Sequence, residues 1–284
     1  MDMYPIILVD DKFLHREKLQ LPYEERGHQF GDGVYEVIRI YNGKFYLLQE
    51  HIDRLFRSLE AIKINFPYSK TDIKNLLQQL LEKNSVDGHG IIYLQVTRGS
   101  APRSHEFPKN TRPNFYAYIK YKERNLDALT TGVSTITTED TRWKLCHIKS
   151  LNLLPNVLAK QAAFERNCYE AILFDENNYV TECSASNIYL LKENKIFTHP
   201  ATERILHGCV RMAVERFAES LHIPFIEEPF STVDLIEADE VFLTSSSSEV
   251  MPVIRVDNDI INDGKRGMIT EQLQHAYEKD ANIY

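Results

Sequence analysis

The chain is short of most residue patterns that announce a protein class outright. Cysteine is scarce, four in 284 residues, and Cys146, Cys168, Cys183 and Cys209 contain no Cys-x-x-Cys pair. A disulfide framework is therefore excluded as the source of stability, and the thiols are read as reduced. The ten histidines are scattered without His-Glu-x-x-His spacing, so no structural metal is expected. No apolar window approaches a membrane span. The opening Met-Asp-Met-Tyr-Pro-Ile-Ile-Leu-Val-Asp-Asp has too short an apolar run and the wrong flanks for a secretory leader. A cytosolic protein without a membrane partner is the expectation. Basic charge is in deficit: 33 Lys and Arg against 41 Asp and Glu leave a net charge of −8, with the signs interspersed and no basic stripe for nucleic acid. An anionic ligand must be held by a local site.

A 43% share of hydrophobic residues is enough for a sizeable core, and the length suggests two domains. Residues 5–20 read as a hairpin. Val34–Tyr41 alternates as a strand, and Asn42-Gly43 is the strongest hairpin-turn signal in the chain, returning through 44–48. Gly31-x-Gly33 lacks the third glycine and the following helix of a dinucleotide fingerprint, which disfavours that fold. Ile52, Leu55, Leu59 and Ile62 predict a helix over 49–62, and Ser69 to Asp72 starts a second helix carrying Ile73, Leu76, Leu77, Leu80 and Leu81. With strands at 91–97 and 114–121 these make a small N-terminal domain, 1–121. Polar residues 122–130 read as a linker. Beyond it, short strands at 133–137, 171–174, 187–191, 195–198 and 240–244, with helices near 154–166 and 208–221, make a larger domain, 131–284. The class is α+β, the second domain a partly closed β-barrel.

Lys149 follows Ile148 and precedes Ser-Leu-Asn-Leu-Leu, so its amine is set in apolar company. Desolvation favours the neutral form of an amine, which is the nucleophilic and basic one, although lysines in such company also snorkel. Glu182 ends the segment Tyr179-Val-Thr, just before the small-residue loop Cys183-Ser-Ala-Ser186. Arg54 lies on the first helix, away from its apolar face. Leu206-His-Gly-Cys-Val210 reads as a turn into a helix N-terminus, a natural anion site, and Ser245-Ser-Ser-Ser248 follows a strand. Arg103 and His105 lie two apart in a proline-bounded loop, where both can point at one carboxylate. Taken singly, each of these is more readily a solvated surface residue or an ordinary turn.

Together they carry a family resemblance. Ile-Lys-Ser-Leu-Asn (148–152), preceded by Arg142-Trp143 and followed by Val-Thr-Glu (180–182) and Ser-Asn (186–187), resembles the pyridoxal-phosphate aminotransferases of fold type IV. The likeness covers nearly the whole chain. It implies a Schiff base between Lys149 and pyridoxal 5′-phosphate, and Glu182 at the pyridine nitrogen. It also implies phosphate held by Arg54, by the backbone at Cys209 and Val210, and by Ser245 and Ser246, with Leu206 packed on the ring.

Arg103-x-His105 is similar to the arrangement in D-amino acid aminotransferases. There the pair reaches across from the neighbouring subunit and, with a tyrosine matching Tyr35, holds the substrate α-carboxylate. The resemblance thus implies a homodimer and ping-pong transamination of D-alanine and D-glutamate with 2-oxoglutarate or pyruvate. Branched-chain L-aminotransferases and aminodeoxychorismate lyases share the cofactor machinery; a non-catalytic cofactor-binding module is the reading from another class. Three positions depart from the pattern: Val210 where threonine is common, Ala185 within a usual serine run, and His147 where aspartate is frequent.

Overall fold

The computed structural model describes residues 3–283, and the chain divides into two units. The first comprises the chain up to Arg124 together with Ile148–Asn152. Ile6–Val9 (β1) and Lys12–His15 (β2) form the expected hairpin. A short helix, Arg26–Phe30 (α1), ends at Gly31, whose φ of 64° suits a residue without Cβ. In Gly33–Tyr41 (β3) Val34, Glu36, Ile38 and Ile40 face one side and Tyr35, Val37, Arg39 and Tyr41 the other. Asn42 and Gly43 take φ of 48° and 69°, as a two-residue hairpin turn requires, and Lys44–Phe45 (β4) returns.

Two helices follow, Leu48–Ala61 (α2) and Lys70–Lys83 (α3), the second opened by a reciprocal Ser69–Asp72 capping box. Gly90–Thr97 (β5) and Asn114–Tyr121 (β6) complete a six-stranded sheet of order β2-β1-β6-β5-β3-β4. Ile52, Leu55 and Leu59 of α2 and Ile73, Leu77 and Leu80 of α3 bury against Ile38, Ile92, Leu94 and Phe115. Each such side chain stabilises the unit by about 1.5–3 kcal/mol.

The second unit holds Asn125–His147 and Leu153–Tyr284. Within the stretch expected as linker, Leu126–Thr131 (α4) is helical, because Asn125 accepts from the Ala128 N–H at 3.2 Å and caps it. Val133–Glu139 (β7) and Glu170–Phe174 (β8) are parallel, and Leu154–Glu165 (α5) lies between them in sequence, as a parallel crossover needs. Then come Val180–Cys183 (β9), Asn187–Lys192 (β10), Lys195–Thr198 (β11), Cys209–Ser220 (α6) and Phe225–Glu227 (β12). Thr232–Ile236 (α7), Glu240–Ser245 (β13), Glu249–Val256 (β14), Asp259–Ile260 (β15) and Met268–Asp280 (α8) close the unit.

The strands run β12-β11-β10-β13-β14-β7-β8-β9, with β15 on β14. The last strand of that path, β9, turns straight into the inner strand β10, Cys183 N–H donating to Ser186 O at 2.7 Å, so the sheet curls into a partly closed barrel. Its core is Ile172, Val180, Ile188, Leu190, Val241, Leu243, Met251 and Val253. Among the described residues no helix is long and apolar enough to cross a membrane.

Candidate active site

Backbone pairing places Lys149 before any side chain does. Tyr35 N–H donates to Lys149 O at 3.0 Å, Leu151 N–H to Gly33 O at 3.0 Å, and Lys149 N–H to Ser58 Oγ at 3.2 Å. The segment is thereby stitched to the start of β3, with Ile148 and Ser150 buried beside it. Gly33 permits this approach: a Cβ there would meet Val96 O at 2.6 Å and Leu151 Cδ1 at 2.9 Å. The half-buried Lys149 amine rests against Tyr35, Nζ 3.4 Å from the hydroxyl.

Arg54, expected off the apolar face of its helix as a phosphate ligand or else a solvated side chain, is not solvated. It is 4% exposed, Nε donating to Glu36 Oε1 and Nη2 to Glu36 Oε2, both at 2.8 Å. His51 Nδ1 lies 2.8 Å from Glu36 Oε2. The reason is an acid on the core side of β3: burial opposes ionisation of Glu36, but the charge and hydrogen bonds of Arg54, with those of His51, outweigh it and hold the carboxyl far below the usual range. Glu36 and His51 were missed in sequence. The available signal was a carboxylate at an inward position of an alternating strand, which must find a partner.

Arg103 and His105 are exposed, and both border one ring. The Arg103 guanidinium carbon lies 4.9 Å from the Phe30 ring centre and the His105 ring 5.5 Å away, edge-on. Arg26, on the same ring at 4.7 Å, donates Nη1 to Ser104 O at 2.6 Å and Nε to Asp32 at 2.8 Å. The same Asp32 holds Arg98, which lies over Phe107 at 3.6 Å. The loop between the two substrate candidates is thus anchored from below by residues that sequence reasoning passed over.

In the second unit Glu182 is 5% exposed and accepts from three donors: Arg142 Nη1, Asn187 Nδ2 at 3.1 Å, and the Leu206 N–H, shared between its two oxygens at 3.1 and 3.2 Å. Burial pushes its carboxyl above the ordinary range, with Arg142 pulling the other way. Asp140 steadies Arg142 through Nη2 at 2.8 Å. Asn187 also donates to Leu206 O at 2.9 Å, so one amide ties Glu182 to the turn 206–208. That turn opens α6, whose first N–H groups, at Cys209 and Val210, receive no side-chain cap. Ser245 and Ser246 stand at the β13–β14 turn, where Ser245 Oγ accepts from Ser248 N–H at 3.0 Å.

Residues 33–256 match the family Amino-transferase class IV. The chain is 44% identical over 274 residues to the D-alanine aminotransferase of Staphylococcus epidermidis, covering 96% of each. It is equally similar to that of Listeria monocytogenes, covering 95% of this chain and 94% of the relative. The chain belongs to the class IV aminotransferases. In fold this aminotransferase resembles the Escherichia coli branched-chain amino acid aminotransferase, TM-score 0.92 at 22% identity over 97% and 94% of the two chains. A second likeness is to the Thermoproteus uzoniensis branched-chain aminotransferase crystallised with norvaline, TM-score 0.90 at 22% identity over 99% and 96%.

Class IV aminotransferases depend on pyridoxal phosphate and act on amino acids and 2-oxo acids. The residues of this aminotransferase fit that group. An uncapped helix N-terminus and a serine turn each suit a phosphate, and Gly208 keeps the turn close to Asn187, since a Cβ there would collide with Asn187 Oδ1. A buried acid with a raised pKa suits a pyridine nitrogen. Val210 is buried and leaves its N–H to serve, and His147 lies 6.3 Å ring to ring from His207, with Nδ1 buried and unpartnered among the described residues.

Proposed function

We propose that the enzyme exchanges amino groups between D-amino acids, D-alanine and D-glutamate among them, and 2-oxo acids such as pyruvate and 2-oxoglutarate, with pyridoxal 5′-phosphate joined to Lys149. The carrying observation is the Lys149 amine held at Tyr35, 3.4 Å from its hydroxyl, in a chain 44% identical to D-alanine aminotransferases.

When bound, the cofactor supplies an electron sink for negative charge arising at the substrate Cα. Lys149 Nζ would take the Cα proton and return it on the far side of the substrate nitrogen, a 1,3 shift, acting as base and then acid. Glu182, its carboxyl raised by burial, would hold the proton of the pyridine nitrogen, with Arg142 and Asn187 orienting its two oxygens. Phosphate would fall to the N–H groups of Cys209 and Val210, to Ser245 and Ser246, and to Arg54, whose fork Glu36 orients, and Leu206 would pack on the ring. Arg103, His105 and Tyr35 grip the α-carboxylate. The exposure of Arg103 and His105 supports their service to a neighbouring subunit, hence a homodimer. Four free thiols accord with a cytoplasmic setting.

The test is steady-state assay with D-alanine, L-leucine and aminodeoxychorismate. Turnover of D-alanine with 2-oxoglutarate, lost in Lys149→Ala while the fold persists, is expected. Preference for L-leucine, or release of pyruvate and aminobenzoate from aminodeoxychorismate, overturns the reading in favour of a branched-chain aminotransferase or a lyase respectively.

A further inference from the structure

Asp32 lies between two glycines that both pack on the residues after Lys149. A Cβ on Gly31 would meet Asn152 Oδ1 at 2.6 Å, and one on Gly33 would meet Leu151 Cδ1 at 2.9 Å. Gly33 O also accepts from the Leu151 N–H at 3.0 Å, so the backbone of the turn 31–33 is held by the lysine segment. The carboxylate is engaged elsewhere. Arg26 Nε and Arg98 Nε both donate to Asp32 Oδ2 at 2.8 Å, and the two arginines are only 3% and 8% exposed.

Each arginine holds one flank of the segment 103–107. Arg26 donates Nη1 to Ser104 O at 2.6 Å, between Arg103 and His105, and it lies against the Phe30 ring that both of them border. Arg98 lies 3.6 Å from the centre of the exposed Phe107 ring. Its Nη1 and Nη2 donate to Lys63 O at 3.0 Å and Ile62 O at 2.7 Å, just past the end of α2, which fixes it from behind. Residues 103–107 form no helix or strand, so tethers of this kind set their course.

A guanidinium keeps its charge when buried, and two of them on one carboxylate oxygen repel each other once its negative charge is gone. Any shift of Arg26 or Arg98 carries Ser104 or Phe107 with it. A displacement of about 1 Å in a group that grips substrate costs up to about a hundredfold. We infer that Asp32 is a positioning residue for carboxylate recognition. Through Arg26 and Arg98 it sets where Arg103 and His105 stand, and so it acts at the site of the neighbouring subunit rather than at the Lys149 of its own chain. This rests on the reading that Arg103 and His105 grip the α-carboxylate across a dimer interface.

The test uses mixed dimers with one working lysine, made by co-expressing two differently tagged full-length chains, loaded with pyridoxal phosphate and assayed with D-alanine and 2-oxoglutarate. In the first dimer a wild-type chain is paired with one carrying Lys149→Ala and Asp32→Asn, so the working lysine is served by the altered loop. KM for D-alanine rises about tenfold over a control dimer of wild-type and Lys149→Ala chains, with kcat within about twofold. In the second, an Asp32→Asn chain is paired with a Lys149→Ala chain, and KM stays at the control value although the altered turn now shares a chain with the lysine. A role in stability alone affects both dimers alike, so equal KM values in the two, raised or not, overturn the inference, as does a rise confined to the second. Where the Asp32→Asn chain does not fold, Arg26→Gln, which frees Ser104 O and leaves Asp32 with Arg98, takes its place with the same expectations. Arg103→Ala in the same two arrangements separates the inference from the reading beneath it. If Arg103→Ala raises KM in the first dimer and Asp32→Asn does not, the inference alone is overturned. If Arg103→Ala leaves KM unchanged in both, or if the wild type is active as a monomer, the shared carboxylate grip falls and the inference with it.

Discussion

Lys149 Nζ lies 4.3 Å from the centre of the Tyr35 ring and 3.4 Å from its hydroxyl, and the same two residues share a backbone hydrogen bond of 3.0 Å. The amine is therefore positioned twice, once through the chain and once through the side chain. Removing only the hydroxyl tests the second. Tyr35→Phe should raise KM for D-alanine about tenfold, the value of one hydrogen bond to a charged group, with little change in melting temperature. An unchanged KM would remove Tyr35 from substrate binding.

Arg103 and His105 share the Phe30 ring, and Arg26 holds the loop between them. Phe30→Leu should raise KM for D-amino acids by about five- to tenfold with kcat nearly constant, because the carboxylate grip loosens while the chemistry does not. Phe30→Tyr should restore the wild-type value. A loss carried by kcat rather than KM, unrelieved by tyrosine, would mean that Phe30 serves stability only.

Gly208 is set against Asn187, the residue that ties Glu182 to Leu206. Its φ of −66° is open to any amino acid, so the cost of Gly208→Ala is contact rather than backbone strain. The variant should bind pyridoxal phosphate at least about tenfold more weakly, read by fluorescence titration of the apoenzyme. Undiminished affinity would show that this turn is not the phosphate cradle.

Glu36 gives a pH signature. Its carboxyl is held far below the usual range in the folded chain, so the stability it contributes is whole above the unfolded carboxyl value and is lost as pH falls towards the folded one. Glu36→Gln should therefore flatten the acid limb of a melting-temperature profile. At neutral pH it should cost about 3–5 kcal/mol, since Arg54 and His51 lose a buried counter-charge. Parallel profiles in wild type and variant would contradict the pairing.

Local physics made much of this fold readable. Asn42-Gly43, the Ser69–Asp72 box and the alternation of β3 are short-range signals, and the structure follows them. β14 escaped because Pro252 sits inside it, a residue that argues against a strand. It is tolerated here because pairing with β7 begins only at Val253, so no ladder donor is needed there on that side. α8 escaped because its buried face mixes Ile269, Leu273 and Tyr277 with Thr270 and Gln274, which blunts the apolar stripe. At the site, Lys149, Glu182 and the turn 206–210 were visible as a pattern of residues. Asn187 was visible only as part of Ser-Asn (186–187), and the supports Glu36, His51 and Phe30 act through contacts between separate segments of the chain, which spacing does not encode.

The proposed transamination depends above all on the amine at position 149 bearing the cofactor. Reduction of the holoenzyme with borohydride, proteolysis and mass mapping of the pyridoxyl-modified peptide measures this directly. The modification is predicted on the peptide containing Ile148-Lys149-Ser150; its appearance on another lysine, or on none, would contradict the account.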